Sequence, residues 1–305
     1  MPLIFATRPS ALARWQTQWV IGALQRAWPE LECQEKVITT KGDRVLDRAL
    51  PEIGGKGLFT EELEAELLAG TVHAAVHSLK DLPIESPAGL ATGAIPLRAE
   101  AGDVLVSAQG YTLETLPEGA VVGTSSLRRS AQLLSYRPDL KIKSLRGNVD
   151  TRLRKALRGE YHAIVLAGAG VTRLGLEDHI AQWLSLEIML PAPGQGALAV
   201  QCAANDEETL NYLAAIEDPA TRQSTSAERA FLKHLGGGCT MPVGAFASID
   251  GAQIDFQGVV ASLDGTNVIH CRGWGNDPEE LGRDCAQQAL KQGAGEILPL
   301  EGLES

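Results

Sequence analysis

Long apolar runs, paired cysteines and aromatic side chains are all scarce in this sequence, and each absence argues against a class of protein. No stretch of about 18 apolar residues occurs, as a membrane-spanning helix would need, and the N-terminal segment lacks a signal-peptide core. We therefore expect a cytoplasmic protein, or the mature form of a processed one, with no membrane partner. The five cysteines are odd in number and form no C-x-x-C pair or Cys/His cluster, so we expect reduced thiols and no metal site.

Aromatic residues make up only 5% of the chain, and the net charge is −11. Proteins that bind single-stranded nucleic acid usually combine a basic groove with stacking aromatic side chains. This composition predicts no nucleic-acid partner, although one basic segment keeps that alternative open.

The basic segment spans residues 123–173 and inverts the charge of the chain. It holds eleven Lys/Arg and three Asp/Glu, a net charge of +8, which leaves −19 for the remainder. Such a concentration of cations indicates an anionic ligand, whereas the alternative is a solvated basic helix face. The alternative suits Arg128 and Arg129 poorly, because they follow a predicted strand and a Thr-Ser-Ser turn.

Strands alternating with helices predict α/β layers around mainly parallel sheets. Pro- and Gly-rich segments at 95–97 and 190–196 predict two hinges, at which the chain crosses between two lobes. We predict a discontinuous first domain (1–96 with 196–216), an inserted second α/β domain (100–191) and a small α+β third domain (219–305). The first helix, capped by Ser10, is predicted to turn Leu12, Trp15 and Trp19 toward its core.

Cationic and hydroxyl side chains follow the predicted strands, where ligands of open α/β sheets bind. Guanidinium groups suit carboxylates and phosphates, because the planar fork donates two parallel hydrogen bonds. Singly, each arginine is better explained by a structural role, but together they indicate a ligand with several anionic groups. The residues at strand ends are Arg8, Ser10, Lys80, Asp81, Thr124, Ser126, Arg128, Arg129, Arg146, Arg152 and Arg173.

Asp81 is the acid of interest, since it would lie among these cations. A fixed carboxylate there can accept a ligand N–H and stabilise a developing cation, whereas an exposed turn Asp commonly only caps. The glycine-rich segment Gly54-Gly55-Lys56-Gly57, before Phe59, lacks the P-loop pattern. A mobile lid and an anion-binding turn are equally good interpretations of it.

Cys239 follows three glycines and precedes Thr240-Met241-Pro242. A free cysteine is ordinarily a small core residue, which suits Cys33, Cys202 and Cys285 better. A cysteine on a glycine-rich loop is a candidate nucleophile or covalent attachment point.

Seven segments together resemble the porphobilinogen deaminase (hydroxymethylbilane synthase) family, and they follow the family's order from residue 6 to about 242. They are A-T-R-P-S (6–10), G-G-K-G-L-F (54–59), H-S-L-K-D-L-P (77–83), G-T-S-S-L-R-R (123–129), L-R-G-N-V-D-T-R (145–152), P-G-Q-G-A (193–197) and G-G-G-C-T-M-P (236–242).

The resemblance implies two hinged, doubly wound α/β domains like periplasmic-binding-protein lobes, plus a small C-terminal domain. It implies an enzyme that joins four porphobilinogen molecules into hydroxymethylbilane with loss of ammonia, and a monomer. A dipyrromethane cofactor would be attached to Cys239 through a thioether, with Asp81 as the catalytic acid. The implied cofactor contacts are Lys80, Asp81, Thr124, Ser126, Arg128 and Arg129. The implied substrate contacts are Arg8, Ser10, Arg146, Arg152 and Arg173. The implied lid comprises Gly54, Gly55, Lys56 and Phe59.

The rival hypothesis is a small-anion-binding protein of the periplasmic-receptor type, without catalysis. Such a receptor needs neither a loop cysteine nor a Lys-Asp pair, and it ordinarily carries a signal peptide. The mass of the intact chain discriminates the two, because only the enzyme carries two pyrrole units on Cys239.

Overall fold

The computed structural model of the protein describes residues 2–44, 58–237 and 241–298. Its strands, in chain order, are β1 (Leu3–Thr7), β2 (Cys33–Val37), β3 (Ala74–Ser78), β4 (Leu90–Ala94), β5 (Asp103–Val106), β6 (Val121–Gly123), β7 (Lys141–Lys143), β8 (Ala163–Ala167), β9 (Ile180–Trp183), β10 (Leu198–Ala203), β11 (Val243–Asp250), β12 (Gln253–Ala261) and β13 (Val268–Gly275). Its α-helices are α1 (Ala11–Ala27), α2 (Lys41–Arg44), α3 (Glu61–Leu68), α4 (Leu127–Tyr136), α5 (Val149–Leu157), α6 (Gly168–Thr172), α7 (Glu207–Ala214), α8 (Pro219–His234), α9 (Pro278–Lys291) and α10 (Ala294–Ile297).

The first sheet has the strand order β2-β1-β3-β10-β4 and carries helices on both faces. Phe5 packs with Val20 and Leu24 of α1 on one face. Ala6, the next residue of β1, packs with Leu63 of α3 on the other, as the alternation of a strand requires. The predicted doubly wound α/β architecture is therefore confirmed.

The second sheet has the order β7-β6-β8-β5-β9, and in both sheets the expected parallel pairing holds for only part of the sheet. β1 is parallel to β2 and β3, and β6 is parallel to β7 and β8. β10 and β5 instead run antiparallel to both of their neighbours. Each of these two strands is the first strand after one of the Pro- and Gly-rich segments, 95–97 or 190–196.

The third sheet is antiparallel throughout, in the order β11-β12-β13. Phe231 of α8 and Phe256 of β12 are fully buried, with ring centroids 5.2 Å apart. Cys285 and Ala286 of α9 complete this core. The sheet is the small α+β region predicted for the C-terminus.

The chain forms two compact units, residues 1–99 with 197–222 and residues 100–196 with 223–305. The second unit contains both the inserted α/β sheet and the C-terminal sheet, each with its own hydrophobic core. The division into three domains stays a prediction.

The segment 190–196, expected from its prolines and glycines to be a hinge, is buried and extensively hydrogen bonded. Gln132 exchanges hydrogen bonds with Leu190, Ala245 N–H donates to the Pro191 carbonyl (2.9 Å), and Gly194 N–H donates to the Glu228 carboxylate (2.7 Å). The loop therefore joins the inserted sheet to the C-terminal sheet.

The face of α1 indicated by the sequence is buried only in part, because Trp19 packs against the core that contains Phe5. Trp15 is exposed, whereas Gln16, Thr17, Val20 and Leu24 are buried. Gln16 can lie inside because its amide donates to the Ser78 hydroxyl (3.0 Å), a partner 62 residues away.

Candidate active site

Arg8, directly after β1, is held by two neighbours. It donates to Asp43 through Nε (3.2 Å) and Nη2 (2.5 Å), and its guanidinium carbon lies 4.2 Å from the centre of the Phe59 ring. Burial acts to raise the pKa of Asp43, but the hydrogen bonds and charge of Arg8 outweigh it and the pKa is lowered. The sequence interpretation missed Asp43, which lies 35 residues from its partner.

Ser10 caps α1, as predicted. Its backbone is extended (φ −66°, ψ 145°), and its hydroxyl accepts from Ala13 N–H at 3.3 Å. The cap orients the first turn of α1 immediately behind Arg8.

Asp81 ends a 3₁₀ turn (Leu79–Asp81) that directly follows β3. Its side chain is exposed, and Lys80 beside it is half-buried. Arg8 and Asp81 line one open pocket, together with Phe59, His77 and Ser78. The fold thus brings together an acid and an arginine that are 73 positions apart, because β1 and β3 are parallel neighbours whose ends share one edge.

His77 is a buried member of this pocket that the sequence interpretation did not single out. Burial lowers its pKa to about 4, the charge of Arg8 acts in the same direction, and the Gln201 amide opposes them. The imidazole is therefore neutral at neutral pH. Nε2 of His77 has no hydrogen-bond partner within the described part of the chain.

Thr124 and Ser126 form the turn between β6 and α4 in the second unit. The Thr124 hydroxyl, which is buried, accepts from Ser126 N–H (3.1 Å), and the Ser126 hydroxyl caps α4 by accepting from Arg129 N–H (3.4 Å). The turn therefore sets where α4, and the two arginines in its first turn, begin.

Arg128 and Arg129 are buried, with exposures of 4% and 6%, and share one carboxylate, that of fully buried Asp103. Arg128 donates to Asp103 at 2.7 Å, and Arg129 donates to it through Nε (3.0 Å) and Nη2 (2.7 Å). Burial acts to raise the pKa of Asp103, but the two guanidinium charges hold it well below its usual range. Two cations and one anion leave one positive charge in this cluster.

Arg146 and Arg152 flank the turn after β7. Arg146 is half-buried, and Arg152 donates through Nε to the Gly147 carbonyl at 2.7 Å. Gly147 has a φ of 110°, a conformation that favours glycine. Adding a Cβ there would also bring it within 2.8 Å of the Thr151 side chain.

Arg173 follows α6 and donates to the Gly196 carbonyl at 2.7 Å, so it contacts the 190–196 segment. Burial lowers its pKa to about 10, and it remains a cation at neutral pH. It therefore adds positive charge beside the crossing segment.

Cys239, Gly54, Gly55 and Lys56 lie outside the described residues. The four other cysteines are free thiols: Cys33 is half-buried and Cys202, Cys271 and Cys285 are buried. Burial raises the pKa of Cys33, and it raises that of Cys202 to about 11. These two thiols are poor nucleophiles at neutral pH, because the thiolate is the reactive form.

Within the described ranges, no three His, Cys, Asp or Glu side chains cluster in a way that suits a metal ion. None of the helices in that part of the chain combines the length and apolar character needed to cross a membrane.

Two family models match the chain. One, described as "Porphobilinogen deaminase, dipyromethane cofactor binding domain", matches residues 3–211, and the other, its C-terminal domain, matches residues 223–291. Porphobilinogen deaminase of Brevibacillus brevis is 51% identical over 293 residues, spanning 96% of this chain and 95% of the relative. That of Moorella thermoacetica is 51% identical over 294 residues, which span 96% of this chain and 94% of the relative.

Among solved structures, one similar fold is that of CbnR, a LysR family transcriptional regulator. The alignment covers 71% of this chain and 70% of the CbnR chain, with 12% sequence identity and a TM-score of 0.44.

Proposed function

The chain belongs to the porphobilinogen deaminase family, and from that premise we propose that it joins four porphobilinogen molecules head to tail, releasing ammonia, to give hydroxymethylbilane. It is an enzyme of the transferase class. The single observation that carries the proposal is the pocket that Arg8 and Asp81 share at the carboxyl ends of β1 and β3. This pocket offers a cation for a substrate carboxylate and an exposed anion beside it.

The described residues fit a dipyrromethane cofactor. The positive charge left over by Arg128, Arg129 and Asp103 suits a ligand carboxylate, and the Thr124–Ser126 turn holds the arginines at the start of α4. We assign the thioether anchor to Cys239 and further contacts to Lys80 and Asp81. Once bound, the cofactor supplies the pyrrole from which the chain grows.

Asp81 supplies the negative charge that the reaction needs. Loss of ammonia from porphobilinogen leaves a cation delocalised over the pyrrole ring, and a fixed carboxylate stabilises this charged ring more than it stabilises the neutral pyrrole ring of the substrate. The same carboxylate accepts the pyrrole N–H, and a hydrogen bond to a charged group contributes roughly 1.5–3 kcal/mol.

The remaining cations bind the carboxylates of incoming and growing rings. Each porphobilinogen brings an acetate and a propionate, so a chain of up to six rings carries about a dozen carboxylates, which accounts for many arginines in an acidic protein. In the first structural unit, Arg8 and Ser10 bind these carboxylates. In the second structural unit, Arg146, Arg152 and Arg173 bind them. Arg8 is preorganised for this role because Asp43 and Phe59 fix its guanidinium group.

We further propose that Gly54, Gly55, Lys56 and Phe59 form a lid. Of these four residues, Phe59 lies within the described part of the chain, and its ring contacts Arg8 in the pocket. We also propose that the protein is cytoplasmic, is a monomer and has no nucleic-acid partner. Light scattering on the purified chain tests whether it is a monomer.

Intact-mass measurement tests the function directly. The wild-type chain should carry the mass of two pyrrole units, Cys239→Ser should lack it, and Cys202→Ser is the matched control that should keep it. Peptide mapping that places the adduct on another cysteine contradicts the assignment of Cys239. An unmodified wild-type chain that binds porphobilinogen without turnover would favour the small-anion receptor.

A further inference from the structure

Asp103, the first residue of β5, lies at the centre of a buried polar cluster. Its exposure is 0%, and its two oxygens accept hydrogen bonds from Arg128 and Arg129. Oδ1 also accepts from Gln195 Nε2 at 3.0 Å, and Gln195 donates to the Ala101 carbonyl at 2.7 Å. Asp103 thereby connects the arginines of α4 to the 190–196 segment.

The remaining hydrogen bonds of Arg128 and Arg129 also fix their side chains. Arg128 donates to the Leu190 carbonyl at 2.6 Å, and Arg129 donates to the Val165 carbonyl at 3.2 Å. Arginine side chains are long and lose considerable entropy when they are fixed. A carboxylate that accepts from both guanidinium groups removes this freedom before any ligand arrives.

We propose that Asp103 is a positioning residue, which holds the guanidinium groups of Arg128 and Arg129 in the orientation that receives cofactor carboxylates and ties them through Gln195 to the 190–196 segment. This inference rests on the proposed function, because it assumes that the two arginines bind the cofactor.

Two possible roles of Asp103 have opposite consequences for loading. If Asp103 only neutralises charge, Asp103→Asn leaves two unbalanced cations, which attract an anionic ligand more strongly. If Asp103 positions the arginines, the same substitution replaces one of the two accepting oxygens with an NH₂ group, which cannot accept from a guanidinium group, and loading falls despite the added positive charge. The direction of the change therefore separates positioning from neutralisation.

The test compares Asp103→Asn with Asp139→Asn. Asp139 accepts two hydrogen bonds from Arg137 and one from Gly119 N–H in the same unit, but the proposed cofactor contacts do not include it. Intact mass gives the fraction of chains with the two-pyrrole adduct, and added porphobilinogen gives the rate at which the empty fraction loads. Thermal unfolding identifies conditions in which both variants are folded.

We expect loading of Asp103→Asn to fall roughly tenfold, the effect typical of losing a group that orients a binding residue, while Asp139→Asn loads normally. Equal or faster loading of Asp103→Asn overturns the inference. If Asp103→Asn does not fold, Gln195→Met, which removes one donor to Asp103 without changing its charge, takes its place. Reduced loading of Gln195→Met supports the inference, and unchanged loading overturns it.

Arg128→Leu and Arg129→Leu distinguish failure of this inference from failure of the proposed function. Lost adduct in both variants, with normal loading of Asp103→Asn, overturns the role of Asp103 alone. Normal loading in all three overturns the cofactor role of the arginines.

Discussion

The pocket of the first unit and the arginine cluster of the second use the same pairing of arginine with aspartate in different environments. Arg8 and Asp43 are partly exposed, with side-chain exposures of 22% and 9%, and each has one opposite charge. Arg128 and Arg129 are 4% and 7% exposed in their side chains and share fully buried Asp103. The first arrangement leaves exposed Asp81 beside a balanced pair, whereas the second leaves a buried positive charge.

This difference suits two tasks. A reacting ring must enter and leave a site, which favours an open pocket with an exposed carboxylate. A permanently attached cofactor favours a rigid, buried site, because its arginines are oriented once and do not reorganise at each turnover. We therefore interpret the pocket of the first unit as the reactive side and the Arg128–Arg129 cluster of the second unit as the anchoring side.

The largest effect is expected for Asp81→Asn, which keeps the shape of the side chain and removes its charge. Turnover should fall about 10²–10³-fold, the usual result of losing one preorganised electrostatic group. The two-pyrrole adduct should remain, as shown by intact mass. Asp178→Asn, at an exposed acid in the second unit, is the control. Near-normal turnover of Asp81→Asn would show that the reactive side does not depend on this carboxylate.

The second prediction concerns acid stability. The pKa of His77 is lowered to about 4, so between pH 6.5 and 4 the unfolded chain binds a proton that the folded first unit does not. Stability should fall by on the order of 3 kcal/mol as the pH drops through this window. The lowered pKa of Asp103 acts below about pH 5, where the unfolded carboxyl begins to bind its proton, and mostly below about pH 4.

Denaturant unfolding between pH 7 and 4 measures how much stability is lost as the pH falls through the range in which His77 is expected to contribute strongly. His77→Gln should flatten the pH dependence, whereas His234→Asn, at an exposed histidine, should leave it unchanged. An unchanged slope in His77→Gln contradicts the assignment of the acid sensitivity to the pocket.

A third set of substitutions separates anchoring from chain growth. Arg146→Leu, Arg152→Leu and Arg173→Leu should retain the adduct but lower kcat/KM by about 10–100-fold, because each loses a charge-assisted hydrogen bond to a ring carboxylate. Stopped-reaction mass spectra should show partly extended chains accumulating. If these variants are instead purified without the adduct, the second unit does not divide into anchoring and elongation sites.

The smallest effects are expected at the two helix caps. Ser10→Ala and Ser126→Ala should each lower the free energy of unfolding by about 1 kcal/mol, since each hydroxyl accepts from a first-turn N–H. Only Ser126→Ala should also slow cofactor loading, because its N–H partner belongs to Arg129. Equal loading in both variants would indicate that the cap does not influence the arginines.

The sequence was sufficient for the features that depend on neighbouring residues. It predicted the cap at Ser10 and the position of Asp81 just after a strand. Caps, turns and the hydrophobic period act over a few residues, so they can be recognised without the fold. The seven motifs also identified the family, because each lies within one short segment.

Only the tertiary structure decided which charges meet. Asp43 lies 35 residues from Arg8, and Asp103 lies 25 and 26 residues from its two arginines, so nothing local indicates either pair. The directions of β5 and β10 and the buried face of α1 likewise depend on how distant segments pack. Burial and pairing arise from contacts across the sheets, and those contacts are what make His77 neutral and keep the arginine cluster positively charged.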